Sequence, residues 1–126
     1  MGNPHGVIFV EDLDKTDIHS LGRQLETHPM WPDRANIEFA QIINRKEIRM
    51  RVWERGSGET QACGTGACAT ALAASLLGLA DNEDVTIHLL GGDLSITRDK
   101  STGNVLMTGP ATTVFNGEME LPEGYL

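Results

Sequence analysis

After the polar start Asn3-Pro4-His5, the chain has a short apolar run from Gly6 to Val10, which predicts a strand. An acidic, turn-like stretch follows from Glu11 to Asp14. From Thr16 or Asp17 onward, Ile18, Leu21 and Leu25 recur at spacings of three and four. That is the period of an amphipathic helix with a capping residue in front of it. Pro29 and Pro32 bracket a break, so the helix ends near His28. Ile37, Phe39, Ile42 and Ile43 mark a strand from Asn36 to Asn44. From Ile48 to Trp53, Ile, Met and Val alternate with Arg49 and Arg51, as in a strand with one buried face. Asn44-Arg45-Lys46 supplies the hairpin turn between the two.

The stretch from Thr65 to about Leu79 holds no charged residue and is rich in Ala and Leu. A helix that is apolar all round belongs inside a structure, and small side chains let strands approach it closely. Gly78 and Asp81-Asn82 terminate it. Further strands are predicted at Val85 to Leu89, Leu94 to Thr97, Val105 to Thr108 and Thr113 to Phe115. Turn signals at Gly91-Gly92, Asp99 to Gly103 and Asn116-Gly117 separate them. The expected fold is α+β, with mixed and antiparallel strands curled around one central buried helix.

Composition narrows the function classes. The 126 residues are one domain's worth, with 40% hydrophobic and 22% charged positions, ordinary for a globular chain. A net charge of −8 argues against a nucleic-acid partner, which wants a basic face. No run of 18 apolar residues and no basic-plus-apolar leader is present, so no membrane partner and no export are expected. The two cysteines, in C-x4-C spacing, fit no usual zinc pattern, and the four histidines are scattered. On one helix Cys63 and Cys68 would face different ways, which disfavours a disulfide. Free thiols point to the reducing cytoplasm.

The chemistry is concentrated in Trp53-Glu54-Arg55-Gly56-Ser57-Gly58-Glu59-Thr60-Gln61-Ala62-Cys63-Gly64-Thr65-Gly66-Ala67-Cys68. This segment runs from a strand end through a glycine-punctuated turn into the uncharged helix, and it places Cys63 at the helix's first turn. Backbone N–H groups there lack intrahelical partners and form the positive end of the macrodipole. A thiol so placed is expected to have a lowered pKa. Gly64 and Gly66, without Cβ atoms, would let a ligand carboxylate approach those N–H groups. Glu54 and Arg55 bring an acid and a guanidinium to the same loop. The segment reads as a thiol acid/base beside an anion cradle; a buried structural cysteine beside a flexible loop fits the same residues.

With Gly2-Asn3-Pro4-His5 at one end and Met107-Thr108-Gly109-Pro110-Ala111 near the other, this segment closely resembles diaminopimelate epimerase. The resemblance spans almost the whole chain but only the C-terminal half of that enzyme, which makes residues 1–126 one C-terminal domain. It implies a fold of two similar halves, each donating one catalytic cysteine to the cleft between them, with the N-terminal half absent here. The implied activity is isomerisation of LL- to meso-diaminopimelate in lysine and cell-wall precursor biosynthesis. No pyridoxal phosphate or other cofactor takes part. One thiolate removes the α-proton and a second thiol protonates the opposite face.

Under that resemblance Cys63 matches the second catalytic cysteine, and Gly64 and Thr65 match positions whose N–H groups bind the substrate carboxylate. Glu54 matches a residue that holds the substrate amino group and tunes the cysteines, while Arg55 matches a substrate-binding arginine. Asn3 and Asn36 match asparagines at the distal end of the substrate. His5 matches a residue that tunes the thiol of the missing half. Read without the family, Asn3 and Asn36 are turn or strand-start punctuation, Gly64 and Thr65 simple helix entry, and Glu54 a solvated charge. Arg45, Arg49 and Arg51 read as solvated, Cys68 as core, and Trp31 and Trp53 as core or domain-edge anchors. His19, His28 and His88 read as surface or satisfied histidines.

The expected partners are diaminopimelate, the missing N-terminal domain and a second copy of the chain. The missing domain leaves the chain by itself expected to be inactive. Two alternatives stay open: a related cofactor-independent racemase or isomerase with another substrate, and a non-catalytic half domain serving binding or assembly.

Overall fold

The computed structural model describes residues 1–124. The order of elements is β1 (His5–Phe9), α1 (Ile18–Glu26), β2 (Asn36–Asn44), β3 (Glu47–Glu54), β4 (Gly58–Thr60), α2 (Gly64–Leu76), β5 (Val85–Leu89), β6 (Gly92–Arg98) and β7 (Val105–Thr108). A 3-10 turn at Leu13–Lys15 precedes α1. Asp17 caps α1, accepting the Ser20 N–H at 3.0 Å.

All seven strands form one mixed sheet in the order β1-β2-β3-β5-β6-β7, with β4 paired to β3. The pairs β1/β2 and β3/β5 are parallel, and the others are antiparallel. One edge of β3 is divided: Val52, Trp53 and Glu54 pair with β4, while Glu47, Ile48 and Arg49 pair with β5. The chain therefore leaves β4 beside the end of β3, enters α2, and returns as β5 beside the start of β3.

Strand alternation sorts the sheet into two faces. Ile37, Phe39 and Trp53 pack with Leu13 and Ile18 on the α1 face. Ala40, Ile48, Met50, Val52, Ile87 and Ile96 pack with Ala67, Ala71 and Ala74 on the α2 face. Gly22 lets α1 lie against Trp53, because a Cβ there would stand 2.5 Å from the indole.

Helix α2 is in contact with β1, β2, β3, β5, β6 and β7, and its Ala67, Thr70, Ala71 and Ala74 are buried. Its C-terminal end stays exposed, with Leu76 and Leu77 at 72% and 66%. One expectation fails here: the strand expected at Thr113 to Phe115 is absent. Residues 109–124 form neither strand nor helix, with Val114 and Phe115 90% and 81% exposed. A strand needs a ladder partner, and this segment has none among the described residues.

Candidate active site

Period-two alternation carries the site. His5 on β1, Asn36 and Glu38 on β2, and Glu54 on β3 belong to the face that α2 covers, and the N-terminus of α2 meets them there. Cys63 is the N-cap of α2, with extended backbone, and its Sγ accepts the Gly66 N–H at 3.4 Å. The Thr65 hydroxyl lies 3.6 Å from the same sulfur. The N–H groups of Gly64 and Thr65, next in line, have no acceptor among the described residues.

The expected lowering of the Cys63 pKa does not hold. Burial pushes the thiol above its ordinary range, and the charges of Glu54 and Glu38 add to the rise. The contacts with Thr65 and Gly66 pull the other way without overcoming it. Desolvation of the thiolate outweighs these two contacts, which favours the thiol as the resting group.

The glycines also do something other than expected. A Cβ on Gly64 would stand 2.9 Å from Met107 Sδ, and one on Gly66 would stand 2.6 Å from Glu38 Oε1. Side chains of this chain, not an open approach for a ligand, fill the space these glycines leave.

Glu38 escaped the sequence reading. It is wholly buried; its Oε1 lies 2.6 Å from His5 Nδ1, while Oε2 has no partner. Burial raises its carboxyl pKa against the pull of His5. Its signal was a carboxylate at the buried-face parity of β2, in register with Ala40 and Ile42. On the other side of His5, Nε2 lies 3.1 Å from Asn3 Oδ1, and Asn3 Nδ2 donates to Thr65 Oγ1 at 3.3 Å. Asn3, His5, Thr65 and Cys63 thus form one contact chain.

Glu54 Oε1 accepts the Thr60 hydroxyl at 2.5 Å. Asn36, buried at the start of β2, accepts the Arg55 N–H through Oδ1 at 2.8 Å. Arg55 Nη1 donates to the Asp33 carbonyl at 2.9 Å. Glu26, also unforeseen, secures this loop from the opposite face: its carboxylate accepts Trp53 Nε1–H at 2.8 Å and the Gly56 N–H at 2.9 Å. The Trp53 bond is the main reason its pKa falls.

The remaining candidates lie apart. Cys68 is buried in the core. Arg45 is exposed, as expected, and pairs with Asp81 at the surface, whereas Arg49 and Arg51 are only partly exposed and hold Asp14 and Glu59. His19 contacts Glu59 and meets Trp53 edge-on, and His88 pairs with Asp93 and Glu47. Among the described residues no group of three His, Cys, Asp or Glu side chains is placed to hold a metal, and no helix is long and apolar enough to cross a membrane.

The family model for diaminopimelate epimerase matches residues 1–114. The chain belongs to that family. It is 59% identical over 120 residues to the diaminopimelate epimerase of Bacteroides thetaiotaomicron, covering 95% of this chain and 45% of that protein. The diaminopimelate epimerase of Desulforapulum autotrophicum is 54% identical over 121 residues, covering 96% and 42%. The chain therefore spans less than half the length of these curated relatives. Among solved structures, a Bacillus anthracis phenazine biosynthesis protein of the PhzF family superposes with a TM-score of 0.59 at 27% identity, over 85% of this chain and 34% of that one. An Enterococcus faecalis protein of the same description, at 18% identity and a TM-score of 0.60, shares the fold.

Proposed function

We propose that this chain is the C-terminal half of a cofactor-independent diaminopimelate epimerase, contributing Cys63 as one of two acid/base thiols. The observation that carries the reading is the Cys63 Sγ at the α2 N-cap, beside two unpaired N–H groups and within a cluster of Glu54, Asn3 and His5. The substrate α-proton is weakly acidic, so the site must stabilise the developing enediolate with fixed donors. The N–H groups of Gly64 and Thr65 are suited to that task, since they need no rearrangement and carry the helix's positive end.

In one direction the thiolate of the other half takes the α-proton, and the C–H electron pair moves into the carboxylate as an enediolate. The Cys63 S–H then protonates the opposite face of Cα and is left as thiolate. In the other direction the roles exchange. Burial keeps Cys63 protonated at rest, which suits the donor role. Glu54 receives the substrate ammonium, while Asn3, Asn36 and the Arg55 guanidinium face its distal end.

The α2 flank that the sheet leaves open, with Leu72 and Leu76 beside His5 and Val7 of β1, is where a second half would seat. A non-catalytic binding module would use the same open flank, but it would have no need of the Cys63 arrangement. The test pairs this chain with a separately supplied N-terminal half and follows solvent isotope uptake at Cα and product stereochemistry. Cys63→Ala should abolish inversion, whereas Cys68→Ala should retain most of it. Equal losses in two folded variants would remove the assignment.

A further inference from the structure

We propose that Glu38 is a positioning residue for His5: the two share a single proton across their contact, and this holds His5 with Nε2–H directed at Asn3 and the open flank of the site.

Asn3 fixes the hydrogen on the His5 ring. Its Nδ2 donates to Thr65 Oγ1 at 3.3 Å, so the atom it turns to His5, 3.1 Å from Nε2, is the carbonyl Oδ1. A carbonyl oxygen only accepts, which requires a hydrogen on Nε2. The other ring nitrogen, Nδ1, stands 2.6 Å from Glu38 Oε1. A bare nitrogen facing a carboxylate would oppose two lone pairs at that distance, and an imidazolium facing a carboxylic acid would oppose two protons. One proton between Oε1 and Nδ1 satisfies both atoms, as an ion pair or as a neutral acid and base. Either form leaves Nε2–H in place and keeps the pair at zero net charge.

The surroundings are shaped for this contact. The Glu38 side chain has no solvent exposure and the His5 side chain only 4%. Gly66 leaves the volume that Oε1 occupies. Burying a carboxyl with Oε2 unpartnered is costly, so an apolar residue would serve packing better at this position. The titratable groups facing Glu38 are His5 from β1, Cys63 from the start of α2 and Glu54 from the end of β3. Of these only His5 is in hydrogen-bond contact with it.

Such a pair can move its proton from Oε1 to Nδ1 when an anion develops beside Nε2, turning His5 into an imidazolium without uptake from solvent. That this anion is the thiolate of a second half rests on the function proposed above; the shared proton does not.

The experiment is long-range 1H–15N correlation on this chain, labelled with 15N-histidine, comparing wild type with Glu38→Gln and Glu38→Asp. The expected wild-type result is a His5 ring with Nε2 in the protonated position at neutral pH, and a proton resonance far downfield from the short carboxyl–imidazole contact. Glu38→Gln should abolish that downfield resonance, and Glu38→Asp should restore it in weakened form. A wild-type ring with bare Nε2 would overturn the proposal even if neither variant folds, as would a downfield resonance that persists unchanged in folded Glu38→Gln. These spectra read the pair whether or not the chain takes part in epimerisation, so their failure is separate from failure of the functional reading.

Discussion

The side-chain oxygen of Asn36 accepts the backbone N–H of Arg55 at 2.8 Å, across 19 residues of sequence. It joins the first residue of β2 to the residue just beyond β3, so two candidate substrate-binding positions form one unit. Asn36→Ala should therefore loosen the Arg55 loop as well as remove an amide. A hydrogen bond of this kind contributes about 0.5–1.5 kcal/mol. Urea unfolding should show a loss of that order, and the Arg55 amide should exchange faster with solvent. Unchanged exchange at Arg55 would show that the loop is held without Asn36.

Alternation made β3 legible, since Ile48, Met50 and Val52 are buried against α2 while Arg49 and Arg51 are not, and apolar runs between turn signals marked β2, β5 and β7. The lack of charge in α2 signals that its apolar surface must be covered, but it does not say which strands cover it, because that depends on the sheet order. Thr113 to Phe115 failed for a related reason: β-branched and aromatic residues give strand propensity, and pairing depends on an available edge. At the site, Cys63 was legible from its position before the helix. Its pKa was not, because burial is a tertiary quantity. Glu38 and Glu26 were missed because a single buried carboxylate looks like any other charge until its partners are known.

Because burial raises the Cys63 pKa, its alkylation should be slow at neutral pH and should accelerate with a midpoint above that of an unperturbed cysteine. Iodoacetamide rates measured across pH in a Cys68→Ala background would isolate it. Thr65→Val should move the midpoint further up, since the hydroxyl contact favours the thiolate. A midpoint below the ordinary cysteine value would mean that the helix terminus prevails over desolvation.

Asp99 accepts hydrogen bonds from the side chains and backbone of Ser101 and Thr102, which hold its carboxyl at about 2. A depressed folded-state pKa contributes stability that is present above the unfolded value and is lost as pH falls through the folded one. The turn between β6 and β7 should thus keep its hydrogen bonds near pH 4 and lose them near pH 2. Carboxyl carbon shifts followed by NMR would give the midpoint directly. Titration of Asp99 at the ordinary value of 3.8 would contradict this.

The open flank of α2 and the segment after β7 expose Leu76, Leu77, Val114 and Phe115. Exposed apolar surface favours association. Sedimentation equilibrium under reducing conditions should show species larger than a monomer at high micromolar concentration, and Leu76→Glu should shift the balance toward monomer. A strictly monomeric wild-type chain would rule this out.

Under the proposed function, Cys63 is one of the two thiols that epimerisation requires. The decisive measurement incubates the purified chain alone with LL-diaminopimelate in D2O and follows both deuterium at Cα and conversion to the meso form. Under that proposal, a sample supplying only one of the two acid/base groups loses on the order of 10²–10⁴ in rate. No meso product above background is expected from the chain alone, and product should appear once an N-terminal half is added. Inversion by the chain alone at the rate of the two-half enzyme, with host epimerase excluded, would contradict it.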